Sequence, residues 1–205
     1  VAADLPIDKL LRELGFATDA AQAAARAALE ADGVTRPGKS RIAAWKRPDA
    51  EAVLRARVTL LCAACRAAGL GDDHPDAIAA GQGDRCVVCG GSANRRGALV
   101  FLGACRGARV RRVIVVGGSP DIRREVPELL GDDLDVRMVD GTIARPGRDV
   151  QREMDGADLV LLLGSTELNH TVSAAWAGSK TIATGQRGIG AFLTEAAEKL
   201  AARRG

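Results

Sequence analysis

Aromatic side chains are scarce in this chain: 205 residues include three Phe, two Trp and no Tyr. Proteins that hold single-stranded nucleic acid without sequence preference stack the bases on exposed aromatics, so a stacking platform is excluded as the main mode of binding. Long apolar runs are also missing. No stretch approaches the roughly 20 residues that a membrane-spanning helix needs, and the first residues, with Asp4 and Asp8, lack the apolar core of a signal peptide. The expectation is a cytoplasmic protein with no membrane contact.

Acidic residues are unevenly placed. Residues 35–66 and 85–112 together hold fifteen Lys and Arg against only Asp49 and Glu51, whereas residues 113–205 hold eleven basic and fourteen acidic side chains. A net charge of +3 thus hides a cationic first half and a mildly anionic second half. Asymmetry of this kind points to a polyanionic partner such as nucleic acid. A merely solvated, Arg-rich face is the competing explanation.

Five cysteines are present, and four form two pairs: Cys62-Ala63-Ala64-Cys65 and Cys86-Val87-Val88-Cys89. Thiolates repel one another unless a cation neutralises them, and paired CxxC motifs about twenty residues apart have the spacing of a structural tetrathiolate zinc site. Zn2+ is therefore the expected cofactor, with a structural role. His74, between the pairs, is expected in an exposed loop, since four sulfurs already complete a tetrahedron. Cys105 lies on an apolar helical face and reads as a small buried hydrophobe.

The first hundred residues read as helical. Helices are expected over 5–15, from an N-cap at Thr18 to Asp32-Gly33, and from Pro48 through Leu61 into the first cysteine pair. Pro37-Gly38 falls where the recognition helix of a helix-turn-helix would run, so a plain helical hairpin is expected there. Ser92 is placed to cap a helix ending near Gly107. The segment Gly90-Gly91-Ser92-Ala93-Asn94-Arg95-Arg96 joins a helix N-terminus to two guanidinium groups, which makes Ser92, Asn94, Arg95 and Arg96 the candidate nucleic-acid contacts.

From Val110 the period changes. Strands read at 113–116, 136–139, 159–163 and 180–184, the first and third of them continuous apolar runs, alternate with helical segments, which predicts a four-stranded parallel sheet covered on both faces. The expected fold class is α/β: a helical region with a four-cysteine zinc module over 1–109, then a small Rossmann-like domain over 110–205 with strand order 2-1-3-4. Ligands of such sheets bind beyond the carboxyl ends of the strands. Candidate ligand-binding residues are accordingly Gly117, Gly118 and Ser119 after the first strand and Asp140 after the second. Gly164, Ser165, Thr166, Asn169 and His170 follow the third, and Arg187 the fourth. These loops carry neither GxGxxG nor GxxxxGK[ST], so they signal a generic nucleotide or phosphate rather than a dinucleotide or ATP hydrolysis.

Val113-Ile114-Val115-Val116-Gly117-Gly118, Asp140-Gly141, Ala157-Asp158-Leu159-Val160 and Arg187-Gly188-Ile189 resemble the motifs of an uncharacterised bacterial family. It has a short Rossmann-like domain of unknown function, and the likeness covers about residues 110–200. The resemblance implies a small-residue pocket with a histidine after the third strand, where Ser165, Thr166, Asn169 and His170 stand here. It implies no chemistry.

The functional expectation is a zinc-containing protein that binds nucleic acid or a nucleotide, its Rossmann-like domain sensing a nucleotide or phosphate. Two alternatives stand beside it. One is a nucleotide-processing enzyme with Glu167 and His170 as acid–base groups. The other is a structural subunit that needs a protein partner or a second copy to complete an Ala-rich core.

Overall fold

The computed structural model describes residues 4–80, 85–164 and 170–203. The chain divides into two compact units, residues 1–92 and 93–205. None of the described helices is long and apolar enough to cross a membrane.

In the first unit β1 (Leu5–Pro6) pairs antiparallel with β2 (Arg41–Ile42) and leads into α1 (Ile7–Glu13). Thr18 accepts a hydrogen bond from the Ala21 N–H at 3.2 Å, satisfying one free donor of α2 (Asp19–Ala31). Ala21, Ala25 and Leu29 repeat along one face of α2 and are fully buried against Ile7, Leu10 and Leu11 of α1. A 3-10 turn (Ala44–Lys46) enters α3 (Arg47–Arg57), with Pro48 in its first turn, where the lack of an N–H costs nothing.

α3 ends at Arg57, four residues short of the expected boundary. Val58 is extended (φ −127°, ψ 110°), and Leu60–Leu61 form β3, which pairs in parallel with β4 (Ile78–Ala79). The β-branched pair Val58-Thr59 favours extended backbone. Pairing with β4 then satisfies backbone groups beside the buried Leu60 and Leu61. The first cysteine pair therefore follows a strand rather than ending a helix, and Cys62 itself opens the short α4 (Ala63–Ala67).

The second unit begins one helix earlier than the expected break at 109/110. α5 (Ala93–Ala108) precedes β5 (Arg112–Val116), α6 (Pro120–Leu130), β6 (Asp135–Val139), α7 (Gly147–Gly156), β7 (Leu159–Leu163), α8 (His170–Ala175), β8 (Thr181–Thr184) and α9 (Ile189–Ala202). The four strands are parallel in the order β6-β5-β7-β8. Side chains alternate across the pleat. Val113, Val115, Leu159 and Leu161 face a layer of α5, α6 and α9, while Ile114, Val116, Val160 and Leu162 face α7, α8 and Trp176. Without α5 the first face would lack Phe101, Leu102 and Cys105, all buried there. This burial is why the division falls at Ser92.

α5 and α9 cross at glycines. A methyl group on Gly97 would lie 2.3 Å from the Gly190 carbonyl oxygen, and one on Gly190 would lie 2.4 Å from that of Ala93. Asn94 locks the crossing. Its Oδ1 accepts from the Gly190 N–H at 3.0 Å, one of the free donors at the start of α9, and its Nδ2 donates to Glu125 of α6 at 2.6 Å. At the amino edge of the sheet, the Asp158 carboxylate accepts from the N–H groups of Arg111 and Arg112 at 2.8 and 2.9 Å, joining the start of β5 to that of β7.

Candidate functional site

The four paired cysteines converge. Cys62, Cys65, Cys86 and Cys89 are all buried, and their sulfurs lie within 4.8 Å of one another. β3 delivers Cys62, the first turn of α4 carries Cys65, and the turn after the Val87–Leu60 backbone hydrogen bond (2.9 Å) presents Cys86 and Cys89. Gly90, next in the chain, takes φ +56° and donates its N–H to the Cys86 carbonyl at 2.8 Å, closing the knuckle.

The spacing fits one tetrahedral ion. Metal–sulfur bonds of about 2.3 Å give a tetrahedron with sulfur–sulfur edges of about 3.8 Å, and Cys62 Sγ lies 3.8 Å from Cys89 Sγ. A disulfide would need about 2.05 Å, and all five cysteines are free thiols. His74 is half-buried in the turn after Gly71 and is not one of the four ligands.

The protein around the sulfurs is uneven. Burial, joined by hydrogen bonds from the other three thiols, pushes Cys65 well above the ordinary thiol range, and burial also raises Cys89. Burial opposes ionisation of Cys86 too. There the N–H groups of Cys62, Cys89 and Val88 outweigh it and bring the thiol down to about 6. One sulfur is therefore already disposed to be an anion, while Cys65 and Cys89 favour the neutral thiol unless a cation at the centre offsets the charge. Cys105 sits apart in the second unit, fully buried, its thiol pushed up to about 12 by desolvation, which is inert packing.

A second set of expected residues gathers at the carboxyl edge of the sheet. Val116 is level with Val139 and Leu162, and Leu163 with Thr184, so the loops after all four strands open on one side. Gly117 and Gly118 have φ of +101° and +90°, which only glycine adopts freely. Ser119 caps α6 with a long 3.4 Å contact from the Ile122 N–H. Asp140 accepts from the Thr142 hydroxyl at 2.7 Å and the Thr142 N–H at 2.9 Å, and meets Arg123 at 3.2 Å. The hydrogen bond from the Thr142 hydroxyl, then that from its backbone, holds this carboxylate below its usual range.

Gly164 donates its N–H to the Thr184 carbonyl at 2.9 Å, and a methyl group there would press on the same oxygen. His170 is exposed at the first position of α8, and Arg187 is exposed in the loop after β8. Ser165, Thr166, Glu167 and Asn169 lie outside the described residues. Arg123 bridges Asp140 and the Gly118 carbonyl (2.8 Å), a role that no local pattern marks because Asp140 is seventeen residues on.

The expected nucleic-acid contacts separate. Asn94 uses both ends of its amide within the second unit. Arg96 is half-buried in a depression also lined by Glu195 and Glu198, while Ser92 and Arg95 are exposed. The charge balance moves with the domain boundary. Residues 1–92 contain twelve Lys and Arg and twelve Asp and Glu, so the cysteine-bearing unit is neutral rather than cationic. The excess lies in residues 93–112, which hold six Arg and no acid.

Gly33-Val34-Thr35-Arg36-Pro37-Gly38-Lys39-Ser40 matches the letters of a phosphate-binding loop, GxxxxGK[ST], a match that the sheet strands do not reach. Its context is reversed. The segment follows α2 and precedes β2, whereas the phosphate cradle needs a strand before and a helix after. The Val34 carbonyl accepts from Lys46 and the Ser40 carbonyl from the Ile7 N–H, so the segment serves as a connector.

No family model matches the chain, and no curated protein or solved structure is similar to it.

Proposed function

We propose that the chain is a zinc-containing nucleic-acid-binding protein whose Rossmann-like unit also takes a nucleotide or phosphate at the carboxyl edge of its sheet. Zinc is the ion that best suits four thiolates in a closed, buried tetrahedron, and its role there is structural. The likeness of residues 110–200 to a bacterial Rossmann-like family belongs to the same reading.

One observation carries the polyanion assignment. Arg106, Arg109 and Arg111 line, together with Asp132 and Asp133, a single depression of about 640 Å3 in the second unit. Arg106 pairs with Asp133 at 3.1 Å, but no described residue pairs with the guanidinium of Arg109 or Arg111. Arg109 is also the one non-glycine residue with positive φ (+58°) among those described. It ends α5 in a left-handed conformation, with the Val110 N–H returning to the Cys105 carbonyl at 2.9 Å, a place where glycine is unstrained. An arginine kept there at a conformational cost supports a role for its charge. Guanidinium forks suit phosphate better than ammonium groups do.

Fluorescence anisotropy with labelled single-stranded and duplex oligonucleotides, between about 50 and 200 mM salt, tests the assignment. Affinity should fall steeply with salt. The Arg109→Ala/Arg111→Ala pair should flatten the slope by roughly one unit for each phosphate left without its guanidinium. Absent binding at low salt, or binding indifferent to salt, would remove the reading.

A further inference from the structure

A recess in the first unit belongs to neither site above. It has a volume of about 260 Å3 and is walled by Phe16, Leu54, Val58, Leu60 and Val87. Phe16, Leu54 and Leu60 are core residues, at 4%, 2% and 5% exposure. Val87 is 49% exposed, a large apolar side chain facing out between two metal-binding cysteines. An apolar recess with a few convergent polar groups is the usual form of a small-molecule site, and this one falls just below the usual range of about 300–1,000 Å3, which suits a small ligand.

The polar groups are of one sign. Arg55 and Arg85 both line the recess, both are exposed, and neither has a hydrogen-bond or ion-pair partner among the described residues. Glu51 also lines it, but that carboxylate is occupied by Arg47 at 2.9 Å, and Arg47 in turn reaches Glu13 at 3.2 Å. The acid in the wall is thus neutralised and the two guanidiniums are not. Arg85 is held in place from below. Gly15 has φ +88°, and a methyl group there would come within 2.5 Å of the Arg85 Cγ, so the arginine stem lies directly on glycine backbone. Val87 is fixed by its N–H bond to the Leu60 carbonyl. Since Arg85 and Val87 flank Cys86, the thiol cluster sets the outer wall of the recess.

We propose that this recess binds a small organic acid, its carboxylate held by Arg55 and Arg85 and its short apolar body packed against Phe16, Leu54 and Leu60. Guanidinium groups hold carboxylates through paired hydrogen bonds, and a site missing either element would not select such a ligand. The apolar wall supplies affinity, and the charges select among head groups.

The test uses three probes of equal chain length on the full protein: octanoate, 1-octanol and octylammonium. Methyl NMR shifts of Leu54, Val58, Leu60 and Val87 report occupancy. Octanoate should produce saturable shifts at these methyls, octanol weaker ones, and octylammonium none. Arg55→Ala/Arg85→Ala should weaken octanoate roughly tenfold or more, with the undisturbed spectrum and metal content showing that the variant is folded. Val87→Asp, exposed and therefore tolerated, should abolish octanoate binding through like charge. The proposal is overturned if octanoate shifts no methyl in the folded protein. It is equally overturned if octylammonium binds as well as octanoate, or if the double arginine variant binds octanoate unchanged.

Discussion

The two units solve the same problem with different means. Residues 1–92 bury mainly Ala, Leu and Ile on three short helices and complete the assembly with four sulfurs around one point. Residues 93–205 sandwich a four-stranded sheet between two helical layers, each with its own apolar cluster. A small core leaves little margin over conformational entropy, so the first unit is expected to depend on an ion held by the sulfurs, and the second to stand on burial alone. Breaking each in its own way separates the two.

The largest effect should come from the metal. Strong chelation, or Cys62→Ser with Cys86→Ser, should collapse the dispersed amide signals of residues 4–92 and leave those of β5–β8 in place. Structural zinc binding supplies on the order of 10–16 kcal/mol in apparent terms, more than a small domain's whole stability. Native mass spectrometry should count one ion per chain before treatment and none after. Simultaneous loss of both units would show that the contrast is wrong.

Next comes the buried sheet. Leu161→Ala removes a fully buried side chain from the central face and should cost about 2–5 kcal/mol, seen as an earlier denaturant midpoint for the second unit alone. Gly97→Ala forces a methyl group onto the Gly190 backbone and should cost about 1–3 kcal/mol. Its check is the same midpoint, with zinc content unchanged.

The sequence discloses these units unequally. Unbroken apolar strands such as Leu159–Leu163 announce a sheet covered on both faces, and the glycines after β5 mark where its edge opens. The cysteine spacing likewise announces a cluster without any measured distance. Other features depend on partners far along the chain. Leu60 and Leu61 fit a helical stripe as well as a strand, and only β4, eighteen residues on, decides between them. Asn94 reads as a surface contact because nothing local shows that Gly190 and Glu125 meet its amide. The placing of α5 in the second unit, and with it the transfer of positive charge, follows from packing against α9 that no local pattern contains.

Two smaller effects sharpen the contrast. Asp158 is held below the ordinary carboxylate range by the N–H groups of Arg112 and Arg111. A depressed folded pKa stabilises above the unfolded value and loses that contribution as pH falls through the folded one. Asp158→Asn should therefore lower the melting temperature of the second unit at neutral pH, by the equivalent of about 1 kcal/mol or less given its exposure. The difference from the parent should vanish in acid, and thermal melts from pH 7 to 2 would show it. Smallest of all, Arg109→Gly should stabilise by about 0.5–1 kcal/mol through relief of the left-handed strain while weakening oligonucleotide binding. A variant both less stable and equally tight would contradict that assignment.

The crossing of α5 with α9 has a consequence for biosynthesis. Asn94 and the backbone it caps are 96 residues apart, so on a ribosome advancing about 5–20 residues per second the earlier helix waits roughly 5–20 s for its mate. Throughout that interval Phe101 and Leu102 can meet β5 and α6 but lack the part of their cover that α9 supplies.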